Sequence, residues 1–432
     1  MTKSQAGLII YSSLIFYSLT IDNILNIIVL LILAGVTIAT LTGDNGILTR
    51  ANDAKTQTGQ AGAVEKVEVE VLGSYANNGV LDKEKLSENL ENNVEGLTSG
   101  TPIESFPATV TVDGYDVLIN EDGSVELDTS ITLGEAKDDS MLTETDNSKV
   151  KVEDGSFTLP GGFKVAEDSG STVEEGIVIT DGESEFVWVP AEVNEIANET
   201  EGKDDNENQN YQGKLYTFTS TGADEMEEDY GQGTTSYREP DVVTSYDNNP
   251  DYLEIITGIL PEEDNAEKYN DIDAFEKTMQ EDYNKMIKSV GIYHGFYVSR
   301  YEMSKSTSSN TAVSVANVTP LVNDSSNMWY GLYAYGKTYT NNNIENNTVE
   351  SSMIWGSQYD AMMRWMQSEE HGVNVTQNNG NGNRGTTTGS SNTDIVKKVY
   401  DLYGCHREWI LEVSDTNVRV IRGRLLRQQR FT

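Results

Sequence analysis

The longest apolar stretch lies near the start of the chain, where "ILNIIVLLILAGVTIATL" (Ile24 to Leu41) runs for 18 residues without a charge. At about 1.5 Å per residue a helix of that length spans roughly 27 Å, close to one bilayer core. Residues 8–41 around it hold a single charge, Asp22, and Lys3 precedes them. The apolar run is too long for the core of a signal peptide, and no clear small-residue cleavage pattern follows. The pattern predicts a membrane anchor in residues 8–41, with the N-terminus inside and the bulk of the chain extracellular.

Downstream the period changes. After the "GDNG" break at Gly43 to Gly46, "ILTRANDAKTQTGQAGAVEKVEVEVLGSY" opens with Ile47, Leu48, Ala51 and Ala54 on one helical face. Its second half, "VEKVEVEVL", alternates and fits a strand equally well. "LDKEKLSENLENN" predicts a short amphipathic helix on Leu81, Leu86 and Leu90. Ala108 to Leu127 alternates around Asp113-Gly114 and Asp122-Gly123, which predicts a three-strand meander. Residues 129–150 hold few large apolar side chains and read as a linker. The tracts 194–210, 340–348 and 376–392 are polar and read as loops, their asparagine content favouring disorder.

Four islands separated by these tracts are aromatic and β-branched: "GIVITDGESEFVWVP", "GIYHGFYVSRYEMS", "SSMIWGSQYDAMMRWMQ" and "KKVYDLYGCHREWILEV". The first two predict strands, from the alternation around Phe186, Trp188, Phe296 and Val298. The third places Tyr359, Met362, Met363 and Met366 at helical spacing, a stripe that reads as core rather than cofactor pocket. In the fourth, Val399, Trp409 and Leu411 read as core. The fold class expected is therefore α+β. Its parts are an anchoring helix (1–46), a helix with a small antiparallel sheet (47–128), a linker (129–150) and a large irregular domain (151–432).

Charge and composition narrow the functions. Seventy acidic against 30 basic residues give a formal charge of −40, a field that repels nucleic acid. One cysteine, Cys405, excludes an intrachain disulfide and a multi-cysteine zinc site. With 3 histidines, a transition-metal site is not expected either, which leaves calcium as the open metal.

Two resemblances add to this reading. "SLTID" (Ser18 to Asp22) followed by the apolar run resembles the start of type IV pilins and pseudopilins. Asp22 matches that family's acidic fifth residue, associated with subunit assembly, whereas Tyr17 stands where the family has the glycine before the prepilin peptidase cut. Further on, "EFVWVP", "GFYVSRYE", "WGSQYDAMMRWM", "VYDLYGCHREWILE" and "RVIRG", in this order, resemble the formylglycine-generating enzyme (sulfatase-modifying factor) family. That resemblance covers about Gly155 to Gly423 and implies an elaborated C-type lectin fold, expected here to be incomplete at its C-terminus.

The departures from this second family shape the functional expectation. The family's enzymes use a cysteine pair downstream of an Arg-Gly-Gly element to bind copper and oxidise a substrate cysteine. Here Arg422-Gly423 is followed by Arg424, and no cysteine follows Cys405, so catalysis is not expected. The family's Gly-Asn-x-x-Glu-Trp element supplies a calcium ligand through its asparagine. Cys405 replaces it in Gly404-Cys405-His406-Arg407-Glu408-Trp409, leaving Glu408 as the candidate metal ligand. Cys405 and His406, adjacent on a strand, would point to opposite faces and cannot readily form a nucleophile–base pair.

Proteins of this lectin type are also the displayed products of diversity-generating retroelements, in which asparagine codons scatter to Tyr, Cys, His, Arg and Leu. Tyr403, Cys405, His406, Arg407, Ile410, Arg424, Leu425, Leu426 and Arg427 are mostly that set and form the candidate ligand-binding face. A shifted frame or plain drift is the competing source of the same residues. The expected function is a membrane-anchored, surface-displayed ligand-binding protein, its partner an acidic protein or carbohydrate. The alternatives are a formylglycine-generating oxidase and a structural pilin-like subunit.

Overall fold

The structure is a computed structural model that describes residues 47–76, 79–120, 122–203, 209–214, 216–218, 223–225, 250–260, 267–321, 329–344, 349–367, 387–390, 395–402, 408–415 and 418–422. The predicted anchor, residues 8–41, lies outside them. Among the described residues no helix is long and apolar enough to cross a membrane. The chain divides into two compact units between Thr129 and Ser130.

Unit 1 opens with helix α1 (Ile47–Gly73) and helix α2 (Lys83–Asn93). The alternating segment that fitted strand or helix is helix. Ala63, Val67 and Val71, spaced four apart, are buried on one face, while Val69 and Leu72 of the same run stay exposed. Asp82 caps α2 by accepting the Lys85 N–H at 3.0 Å, and Leu86 and Leu90 are fully buried.

The expected meander is present as β2 (Ala108–Val112), β3 (Tyr115–Ile119) and β4 (Val125–Leu127), joined at its edge by β1 (Leu97–Ser99). Asp113 (φ 54°) and Gly114 (φ 82°) form the two-residue turn between β2 and β3, both in the left-handed region that matches strand twist. Val110, Val112, Val117 and Ile119 of this sheet close the core against α1 and α2.

Unit 2 is built on an antiparallel sheet of β8 (Lys164–Val165), β9 (Val178–Thr180), β10 (Glu185–Pro190) and β15 (Gly295–Ser299), in the order β15-β10-β9-β8. Val187, Val189 and Val298 point to one face, where the predicted helix Gly356–Met366 lays Met362, Met363 and Met366. Trp188, Ile179 and Tyr297 point to the other, against Phe157, Leu159 and Phe163.

Those last residues belong to or follow a three-stranded sheet of β5 (Ile131–Thr132), β6 (Ser148–Val152) and β7 (Gly155–Leu159). The expected linker 129–150 is therefore folded over nearly all its length. Ile131 and Val150 pair in a parallel ladder, and Val150 and Ala136 are fully buried. Composition missed this because a few apolar residues suffice: Ile131, Leu133, Ala136, Met141 and Val150 all pack into one core cluster.

The tract 194–210 also departs from expectation. A one-turn helix, Val193–Ile196, leads into a hairpin of β11 (Ala197–Lys203) and β12 (Gln209–Gly213), and three further short ladders pair β13 (Tyr216–Phe218) with β14 (Ala223–Glu225), β16 (Ser304–Lys305) with β17 (Ala312–Val313) and β18 (Ile395–Val396) with β19 (Val399–Tyr400). Asn284 holds that hairpin from a distance, accepting the Tyr211 N–H at 3.2 Å and donating to Asn210 Oδ1 at 2.9 Å.

Asn284 lies on the element that sequence reading missed altogether, helix α4 (Ile272–Tyr293), which follows α3 (Pro250–Ile259). Its signal is Phe275, Met279, Tyr283, Ile287 and Val290, three or four apart and all buried, after an Asp271 N-cap that accepts the Ala274 N–H at 2.9 Å. Against this stripe pack Trp355 and helix α5 (Trp329–Gly336); the Trp329 and Tyr333 rings are stacked at 5.3 Å. At the end of α4, His294 turns the chain in the left-handed region (φ 59°) and feeds it directly into β15.

Phe275 is fully buried among Tyr269, Trp329, Tyr330 and Tyr333, so Phe275→Ala removes a ring that the rigid aromatics cannot collapse to replace. The expected loss is about 3–5 kcal/mol of unit 2 stability. All 5 tryptophans lie in unit 2, so tryptophan fluorescence during urea unfolding reads this unit alone. Leu72→Ala, at an exposed position of unit 1, should leave that transition unchanged.

Candidate functional site

Tyr403, Cys405, His406 and Arg407 lie outside the described residues, as do Arg424, Leu425, Leu426 and Arg427. Glu408 opens strand β20 (Glu408–Asp415), whose partner is β21 (Val418–Arg422), but its side chain is outside the description. Ile410 is described, and it corrects the expectation of an exposed ligand contact. Its side chain is fully buried with Val178, Val187 and Met363, and its carbonyl accepts the Trp329 indole N–H at 3.1 Å. Val399 and Leu411 are buried as expected, and Trp409 is half-buried. Among the described residues no group of three or more His, Cys, Asp or Glu side chains is placed to hold a metal ion.

The site that the described residues do form is a cavity of about 1120 Å³ in unit 2. All five residues of β15 line it, together with Phe163, Ile179, Phe186 and Trp188 from one face of the sheet and Tyr359 and Met362 from the other. A space that touches residues from both faces of one strand is readily formed beside an open edge. Strand order makes this possible, because β15 ends the sheet. Gly295 is required at the start of β15, since an added Cβ would collide with the Trp188 ring and the Val189 carbonyl oxygen.

One face of α4 supplies the polar wall through Asp282, Lys285, Ser289 and Tyr293, spaced three or four apart. Opposite stand Lys337 and Glu350. Lys337 pairs with Asp282 and lies over the Tyr333 ring at 5.2 Å. Burial works against its charge, but Asp282, together with Tyr269 and Glu350, outweighs burial and holds the ammonium pKa above its usual value. The tyrosines are anchored at their hydroxyls. Tyr297 donates to the Thr158 carbonyl at 2.6 Å and Tyr339 to Asp181 at 2.7 Å, and burial raises both phenol pKa values. Fixed aromatic walls with a few satisfied polar groups suit binding by shape.

Just beyond β15, Arg300 ties the strand to the rest of the sheet. Its guanidinium donates to both Asp168 oxygens, at 2.9 and 2.6 Å, and to Glu185 at 2.8 Å. It sits 5.5 and 5.4 Å from the Tyr301 and Tyr400 ring centroids. The bond from Arg300 holds the Asp168 carboxyl below its usual pKa, although burial partly opposes it.

Compared with protein-family models, curated proteins and solved structures, the chain matches none.

Arg300 is 3% exposed, so Arg300→Met strands Glu185 and loosens the end of β15, with an expected loss of about 3 kcal/mol in urea unfolding. Asp168 is 65% exposed, and Asp168→Asn should lose less than about 1 kcal/mol after solvent screening. The Asp168 contribution is present above the unfolded carboxyl pKa of 3.8 and is lost as pH falls through the lower folded value. The wild type and Asp168→Asn should therefore converge in stability only below about pH 3.8, on unfolding curves taken across that range.

Proposed function

We propose that the chain is a membrane-anchored, surface-displayed binding protein, and that unit 2 is a non-catalytic form of the C-type lectin fold of formylglycine-generating enzymes. The observation that carries the reading is the aromatic-walled cavity of about 1120 Å³, a shape suited to holding a ligand. The single cysteine, Cys405, cannot by itself form the thiolate pair that copper-dependent cysteine oxidation requires. The ordered motifs from "EFVWVP" to "RVIRG" support the fold assignment, and the charge-free run from Ile24 to Leu41 supports anchoring with the bulk of the chain outside the cell.

In this reading a retroelement-diversified ligand face draws on Tyr403, Cys405, His406, Arg407, Arg424, Leu425, Leu426 and Arg427. Its arginines, on a chain of charge −40, favour an acidic protein or carbohydrate.

Anchoring is tested by fractionating cells that express the full chain and a version beginning at Gly46. The full chain should be found with membranes and the shorter one released; a full chain in the soluble fraction overturns the anchor. Catalysis is tested with copper and a Cys-x-Pro-x-Arg peptide, for which mass spectrometry should show no formylglycine. For the ligand face, combined Arg407→Ala, Arg424→Ala and Arg427→Ala should weaken capture of acidic glycans on an array by at least about tenfold, and unchanged capture removes the face.

A further inference from the structure

All five residues of β15 line the cavity, and β15 ends its sheet, with one edge unpaired among the described residues. The two ends of the β10–β15 ladder fix which residues face outward. Ala191 N–H donates to the His294 carbonyl at 3.1 Å, and Arg300 N–H donates to the Glu185 carbonyl at 3.0 Å. Alternation between them places Phe296 and Val298 in hydrogen-bonded pairs with β10. Gly295, Tyr297 and Ser299 are the non-bonded positions, so their N–H and C=O groups point away from β10. The Trp188 N–H, opposite Tyr297, agrees by donating the other way, to the Ile177 carbonyl at 2.9 Å. Among the described residues the outward backbone groups of these three have no backbone or side-chain partner. An edge of this kind inside a cleft is a template for another strand.

We infer that the cavity binds an extended peptide segment of another protein, which adds to β15 as a fifth strand of the central sheet. The inference rests on the binding role proposed above and assigns the cavity an occupant of its own, separate from the ligand face.

Three features define that occupant. Five residues of β15 offer roughly 17 Å of edge at about 3.3 Å per residue, enough for a peptide core of similar length. The walls above and below the edge are both apolar, with Phe163 and Phe186 on one side and Met362 and Trp409 on the other. The added strand therefore carries apolar side chains on both faces, a continuous run rather than an alternating one. The charged lining is Asp282, Glu302 and Glu350 against Lys285 and Lys337, an acidic excess on a chain of charge −40. The flanks of the peptide are accordingly basic.

The test uses the full chain in detergent and a fluorescein-labelled peptide of alternating valine and tyrosine flanked by lysines, followed by fluorescence anisotropy. Two N-methylated peptides, one modified at every valine and one at every tyrosine, then separate backbone pairing from simple hydrophobic contact. Strand addition predicts that one pattern weakens binding by at least about tenfold while the other changes it less than about twofold, because alternate N–H groups face the edge. Glutamate flanks should weaken binding further.

Ser299→Pro removes one outward N–H without breaking a bond to β10, and it should weaken the unmodified peptide at least about fivefold. If that variant loses its tryptophan-reported fold, the N-methyl pair on the wild type decides. Equal effects of the two N-methyl patterns overturn strand addition while leaving the broader binding role standing. No binding of the unmodified peptide overturns the inference outright.

Discussion

Unit 2 depends on a constraint imposed by strand β10. "EFVWVP" is apolar at successive rather than alternate positions, so both of its faces must be buried and both of its edges paired. Val187 and Val189 need a helix layer, which Met362, Met363 and Met366 provide. Trp188 needs a second layer, which Phe157 and Phe163 provide. Neither layer is local in sequence, and each must be held at a fixed distance from the sheet. On one side β5–β7 do this; on the other, Trp355 and Tyr283, their rings 4.8 Å apart and nearly perpendicular, tie the start of the Met-bearing helix to α4.

The same constraint explains where the cavity sits. The sheet is complete around β10, but β15, its partner, reaches the sheet as the direct continuation of α4. A strand delivered by a helix through a single left-handed residue has its position set at one end by His294 and at the other by Arg300. Between those two fixed points nothing is required to cover its outer edge. The layers that bury β10 extend past β15 on both sides and enclose the space beside it.

What could be read from the sequence was what local chemistry determines. The Asp113-Gly114 turn follows from the residues that tolerate positive φ, and the meander from alternation on either side of it. The strands "EFVWVP" and "GFYVS" and the helix at Gly356–Met366 are similarly self-evident. The hairpin β11–β12 was not, because "ANETEGK" and "QNYQG" have little β propensity. Its pairing is held by Asn284 and Gln280 of a helix some 70 residues away. Helix α4 was overlooked because its buried stripe is diluted by charged residues on the exposed face. The cavity could not have been read at all: its walls come from segments that only the folded sheet brings together. Ile410 shows the reverse error, a residue assigned to a surface by the company it keeps in sequence and buried by the strand pairing around it.

Electrostatics then divides the molecule by depth. With 70 acids and 30 bases, every buried base can find an acid while most acids are left to water. Arg300 has Asp168 and Glu185, Lys337 has Asp282, and Lys397, 1% exposed, has Glu174 at 2.7 Å. The pairs of Arg300 with Glu185, Lys337 with Asp282 and Lys397 with Glu174 are largely shielded from salt, whereas Asp168 is exposed, and repulsion among exposed acids is screened beyond about 8–10 Å at physiological ionic strength. After Asp415 the sign reverses: residues 416–432 contain Arg419, Arg422, Arg424, Arg427 and Arg430 and no acid. The cavity lining has an acidic excess, and this segment is wholly basic. If each binds as proposed, the two select partners of opposite charge. Neither ligand is then drawn to the other's site, so one chain can discriminate between them by charge before any side-chain contact is made.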